Sequence, residues 1–202
     1  MSLRSFQRVL VEMTLSPHHA LPLIADDLQL AETYDLTDRE VRRLREVVGQ
    51  PGMSVNCTIA RGNRFEVIGD LFPMTCVLLE PVLRELLEEL WEDFPSSYQF
   101  AGEDDAFASK VRQKMAGGEL RIEYLDEIFT YEAICLQLAR QMTSQPDERY
   151  ELKSVIEFRH SPELLLTPLS KLQAPPPGLP CGSYRAGLIL RNMRFHVEML
   201  SE

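Results

Sequence analysis

No run in the 202 residues approaches the roughly 18 consecutive apolar residues that a membrane helix requires. The longest nearly apolar stretch, Met74 to Leu79, is closed by Pro73 before it and Glu80-Pro81 after it. Nor is a secretory leader expected from the first residues. Met1 to Thr14 mixes Arg4, Arg8 and Glu12 into its apolar pattern, without the basic-then-apolar order and small-residue cleavage site of an export signal. Cysteine is sparse: Cys57, Cys76, Cys135 and Cys181 are widely spaced and form no C-x-x-C pair, which excludes a disulfide scaffold. They are expected to be free, mostly buried thiols in a cytoplasmic protein. Basic residues are outnumbered, 21 Lys and Arg against 31 Asp and Glu, for a formal charge of -10. Such a chain is repelled on average by phosphate backbones and anionic bilayers, so no membrane partner is expected and nucleic acid is disfavoured.

Several chemical signatures are absent too. The glycines form no phosphate cradle, and Ser54, Cys57 and Cys76 lack nucleophile-elbow context. There is no H-E-x-x-H. His18 and His19, being adjacent, would stand about 100° apart on a helix, a poor spacing for metal ligands. His160, in Arg159-His160-Ser161-Pro162, reads as part of a turn leaving a strand. The acids Glu85, Glu88, Glu89, Glu92 and Asp93 match the solvated face of an amphipathic helix. No catalytic residue, metal ligand or cofactor is expected in this chain.

What is present is ordinary globular material, 45% hydrophobic and 26% charged. From Ser2 to about Arg140 the apolar spacing is helical. Leu3, Phe6, Val9, Leu10 and Met13 paint one stripe, and Ser16-Pro17 closes that helix and opens another. Thr37-Asp38-Arg39-Glu40 is a capping box for a helix that ends at Gly49-Gln50-Pro51-Gly52. The next helix is expected from near Ser54 to Leu71. One more carries Leu78 through Trp91 and stops at Phe94-Pro95. Phe107, Val111 and Met115 mark another, closed by Gly117-Gly118, and Leu125 through Leu138 mark the last.

After Gln141 the grammar changes. Met142 to Arg149 reads as a polar linker, and Tyr150 to Phe158 alternates with the period of a half-buried strand. A proline-rich stretch, Gln173 to Pro180, suits neither regular element. Tyr184 to Leu190 and Met193 to Leu200 read as two more strands, with Phe195, Val197 and Met199 on one face. The expected fold class is α+β: a helical extension over 1–53, a helical domain over 54–141 and a small strand-rich α+β domain over 150–202.

One polar constellation interrupts the apolar helices. Arg61, Asn63 and Arg64 cluster ahead of Val67, Ile68, Leu71 and Phe72, and arginine makes bidentate contacts with carboxylates. Tyr124, Asp126, Glu127, Tyr131 and Glu132 are candidate partners. An internal Arg–Glu network and a protein interface are both open readings.

An ordered motif series accompanies this cluster: Arg61-x-Asn63, Phe72-Pro73 with Leu78-Leu79, Phe107, then Tyr124-Leu125-x-Glu127-x-x-x-Tyr131-Glu132. Over about Val55 to Arg140 it resembles the helical domain of the HvfC/BufC-like family, long labelled a DNA-binding domain and including accessory subunits of methanobactin-type pathways. The resemblance implies a noncatalytic partner of a TIM-barrel multinuclear iron oxidase, the iron lying in that enzyme. It also implies help in capturing the leader of a ribosomally made peptide on the carboxy-terminal sheet. Arg61, Asn63, Arg64, Tyr124, Glu127 and Tyr131 are then the expected partner-binding residues. Tyr184, Leu188, Leu190, Phe195 and Val197 are expected to bind peptide, since an extended segment adds to a free strand edge. Two other readings compete: a transcriptional regulator with a winged-helix tail carrying Arg185, Arg191 and Arg194, and an enzyme using Cys57, Cys76 or the His18-His19 pair.

Overall fold

Helix α1 (Leu3–Leu15) forms on the predicted stripe, with Val9 and Met13 fully buried. Helix α2 spans Asp27–Tyr34, and α3 (Asp38–Val48) opens on the predicted capping box. There the Thr37 hydroxyl accepts from the Glu40 amide, and the Glu40 carboxylate accepts from the Thr37 amide at 2.9 Å. Helix α4 (Pro51–Leu71) starts three residues before the expected Ser54, because Pro51 sits comfortably in a first turn. The predicted Leu78-to-Trp91 helix is two: α5 (Pro73–Leu79) and α6 (Leu83–Asp93). Pro81 supplies no amide to the preceding turn, so the chain breaks there. Helix α7 (Glu103–Ala116) closes at Gly117-Gly118, where Gly118 takes a left-handed φ of 73°. Helix α8 (Leu125–Ser144) runs past the expected linker boundary at Met142.

Strand β1 (Glu151–Phe158) is followed by α9 (Pro162–Leu169), then β2 (Tyr184–Arg191) and β3 (Arg194–Leu200). The structure describes residues 3–15, 27–93, 102–144, 151–191 and 194–200. It is a computed structural model. Ser16-Pro17, the His18-His19 pair, Phe94-Pro95 and Tyr150 lie outside the described residues. The architecture is α+β, helices followed by an antiparallel sheet of order β1-β2-β3.

The chain divides into two compact units, 1–68 with 85–107, and 69–84 with 108–202. They cut across the segments drawn from the sequence, since the sheet shares a unit with α5 and α8. In the first unit Val9, Met13, Leu30, Leu36, Val41, Leu44 and Met53 form one apolar cluster. In the second, α8 packs against α5 and against β1 and β2. Phe72 stacks on Phe129 at 5.8 Å between ring centroids. The Glu132 carboxylate, buried on α8, accepts from the amides of Met74 and Thr75 at 2.7 and 2.8 Å, satisfying two orphan donors of α5.

The sheet register pairs Leu152 with Leu190 and Phe195, Ser154 with Leu188 and Val197, and Ile156 with Ala186 and Met199. Residues in direct register share a face. The face that includes Ile156, Phe158, Ala186, Leu188 and Leu190 is therefore the buried one.

Candidate functional site

Burial is unequal along that face. Leu188 and Leu190 are essentially inaccessible, whereas Phe195, Val197 and Met199 on β3 are 38%, 39% and 56% exposed. The sheet's core face thus continues onto an outer strand as an uncovered apolar ledge. Among the described residues β3 pairs with β2 alone, so its other edge offers backbone donors and acceptors. Arg194, His196 and Glu198 alternate with the apolar residues and lie on the opposite face. Of the five residues expected to bind peptide, Phe195 and Val197 lie on this ledge. Tyr184 is half-buried at the start of β2, and Leu188 and Leu190 form the floor beneath the sheet, out of reach of a peptide. Met199, whose period-two spacing from Val197 marked it in the sequence, belongs with the ledge.

The expected partner-binding residues do not form one surface. Arg64 is fully buried, and its guanidinium holds Glu103 through two bonds, Nε to Oε1 at 2.7 Å and Nη2 to Oε2 at 3.2 Å. It also lies over the Trp91 ring, 5.2 Å from its centroid. Burial pushes the Arg64 pKa down while Glu103 pulls it back up. The internal ion pair is present, but its acid is Glu103 rather than an acid of the 124–132 segment. Arg61 is half-buried and Asn63 exposed on the same helix. Tyr131 is half-buried; its ring tilts against Phe158 at 6.3 Å, and its hydroxyl pKa is raised by burial.

Tyr124 and Glu127 belong to a different constellation, at the start of α8. Glu127 Oε2 accepts from the amides of Arg159 and His160 at 2.6 and 3.1 Å, and Oε1 lies 2.6 Å from His160 Nδ1. On the other side of the imidazole, Nε2 lies 3.4 Å from Cys181 Sγ. Tyr124 presses edge-on against the His160 ring at 4.8 Å. Its hydroxyl donates to the Pro176 carbonyl at 3.1 Å and accepts from the Leu179 amide at 2.9 Å, while Glu123 accepts from the Gly178 amide. The proline-rich stretch is therefore fastened to α8. Tyr124 holds a left-handed φ of 66°, a strained conformation for a bulky residue. Beyond Cys181, Gly182 donates to the Arg159 carbonyl at 2.7 Å, and a β-carbon there would lie 2.7 Å from the Tyr184 ring. A side chain there would push the half-buried Tyr184 ring aside.

The thiols differ in kind. Burial raises the Cys76 and Cys135 pKa values to about 12, and Cys57, half-buried, is raised for the same reason. Cys181 is exposed, contrary to the expectation of mostly buried thiols. Nothing in the sequence linked it to His160, 21 residues away. Among the described residues no group of three His, Cys, Asp or Glu side chains is arranged to hold a metal ion, and no helix is long and apolar enough to cross a membrane. No family model, curated protein or solved structure matches this chain. The resemblance to the HvfC/BufC-like family rests on the motif series alone.

Proposed function

We propose that this chain is a noncatalytic partner subunit in ribosomal-peptide modification, holding a leader peptide along β3 by strand addition. The observation that carries the reading is the ledge of Phe195, Val197 and Met199 beside an edge that no described strand covers. An added strand would take main-chain hydrogen bonds from that edge, and alternate apolar side chains would extend the core face over the ledge. A paired or charged margin is the usual way for a sheet to avoid such contacts, and β3 lacks it on its apolar face. The enzyme it serves is, on the motif resemblance, a multinuclear non-haem iron oxidase that carries out the modification. Among the described residues, α9, the helix that lies between β1 and β2, carries no Lys or Arg and so offers a phosphate backbone no basic recognition face.

Selection of a linear peptide library on the full chain tests the peptide half. Retained sequences should alternate apolar and polar residues and lose binding to a Val197→Lys variant. Retention of unpatterned peptides, indifferent to Val197→Lys, would contradict it. Copurification with the candidate oxidase tests the other half.

A further inference from the structure

Noncatalytic in the oxidation assigned to its partner, the chain carries a reactive site of its own: the geometry points to Cys181, His160 and Glu127 as a thiol nucleophile, its base and the group that positions the base, serving acyl transfer from thioesters. A carboxylate oxygen offers only acceptors, so the Nδ1 facing Glu127 carries the ring proton. That leaves the Nε2 lone pair directed at the Cys181 thiol, 3.4 Å away. Nucleophile, base and orienting acid in that order make the arrangement that activates a weak nucleophile on unrelated folds. The carboxylate cannot swing, because the Arg159 and His160 amides also hold it. Nor is the ring loose, with Tyr124 against its flank.

A metal centre would need its ligands to converge on one point. Here the imidazole lies between the other two groups, one on each ring nitrogen, which is the layout of a proton relay. Cys181 is exposed and so open to a large substrate, whereas Cys76 is buried.

In the proposed step the Cys181 thiol proton passes to His160 Nε2 as sulfur bonds to the thioester carbonyl carbon. The carbon–sulfur bond to the departing group then breaks, and the leaving thiolate takes the proton from Nε2. One thioester and one thiol give one thioester, on Cys181, and one thiol, with no oxidant or reductant required. A thioester suits a thiol nucleophile, because exchange between thiols replaces one carbon–sulfur bond with another and the departing thiolate is a good leaving group. The residues differ from those of the β3 ledge, and the reaction with a small thioester is read with no peptide present, so either proposal can fail alone.

The experiment treats the full chain with phenyl thioacetate and, in parallel, iodoacetamide, locating the label by peptide mapping. The chain unfolded in urea supplies the rate of an unassisted Cys181. The expected result is acetylation confined to Cys181 with release of thiophenol, abolished in Cys181→Ala and slowed about 10²-fold or more in His160→Gln. Glu127→Gln should shift the pH profile of acylation, whereas a merely structural Glu127 would leave that profile unmoved in the folded variant. His160→Gln leaves the Glu127 bonds to backbone amides available, and its circular dichroism checks that it folds. Acylation no faster than in urea, equal rates in folded His160→Gln, or rapid alkylation without acyl transfer would each overturn the proposal.

Discussion

Arg64 and Glu103 show how a single buried pair constrains the rest of the chain. Both side chains are inaccessible to water, so neither charge is tolerable without the other. Arg64→Met should cost about 3–5 kcal/mol, because it strands the Glu103 carboxylate. Adding Glu103→Leu to it should restore most of that loss, read from urea denaturation midpoints of the single and double variants. The sequence marked Arg64 as an anomaly among apolar neighbours, but its acid lies 39 positions away and no periodicity connects them. Glu132 makes a second test at this scale. Burial raises its pKa above the usual 4.5 and outweighs the two amides that favour the charge. The folded state therefore binds this proton more tightly than the unfolded chain, and the associated stability is complete below about pH 4.5 and is lost as pH rises through the folded pKa. Subtracting the Glu132→Gln stability profile from that of the natural chain should leave a difference that shrinks with rising pH. A flat difference would show the carboxyl to be neutral to folding.

Helix boundaries follow chemistry that local sequence carries, and here the reading of the sequence went furthest. The Thr37–Glu40 box formed as expected, and Thr37→Ala should lower stability by about 1 kcal/mol by chemical denaturation. Hydrogen bonds from Thr37 hold the Glu40 pKa below its ordinary value. That contribution is present above the unfolded pKa and lost as pH falls through the folded one. Three elements depart from the local pattern for physical reasons. Pro51 begins α4 although a Pro-Gly pair reads as a break, and Pro81 divides a helix whose leucine pattern runs straight through it. Helix α9 is illegible in the sequence because Leu164-Leu165-Leu166 has no period, although Ser161-Pro162 before it is a helix-opening pair. The three strands were legible because alternation shows which face a residue takes. It could not show that the cover ends before β3, since burial depends on how far α8 reaches across the sheet. Val197→Lys should accordingly change folding stability by no more than about 0.5 kcal/mol, as at other exposed positions. The same change at Leu188 should unfold the sheet.

At the scale of the whole molecule, a chain with a net charge of -10 carries two features that its acidity does not explain: an apolar strand margin and a fastened thiol–imidazole pair. The motif series pointed to the sheet as a peptide platform, and the register supplies the strand on which such a peptide would lie. Sequence alone did not reach the Cys181 site, because its parts come from α8, the end of β1 and the stretch before β2, joined only by folding. The most direct measurement is amide hydrogen exchange of the full chain, with and without a saturating peptide selected on it. The account predicts slowed exchange over Phe195 to Met199, with the Leu188 and Leu190 amides little changed. Binding that leaves β3 exchange untouched, or protects only residues outside the sheet, would contradict it.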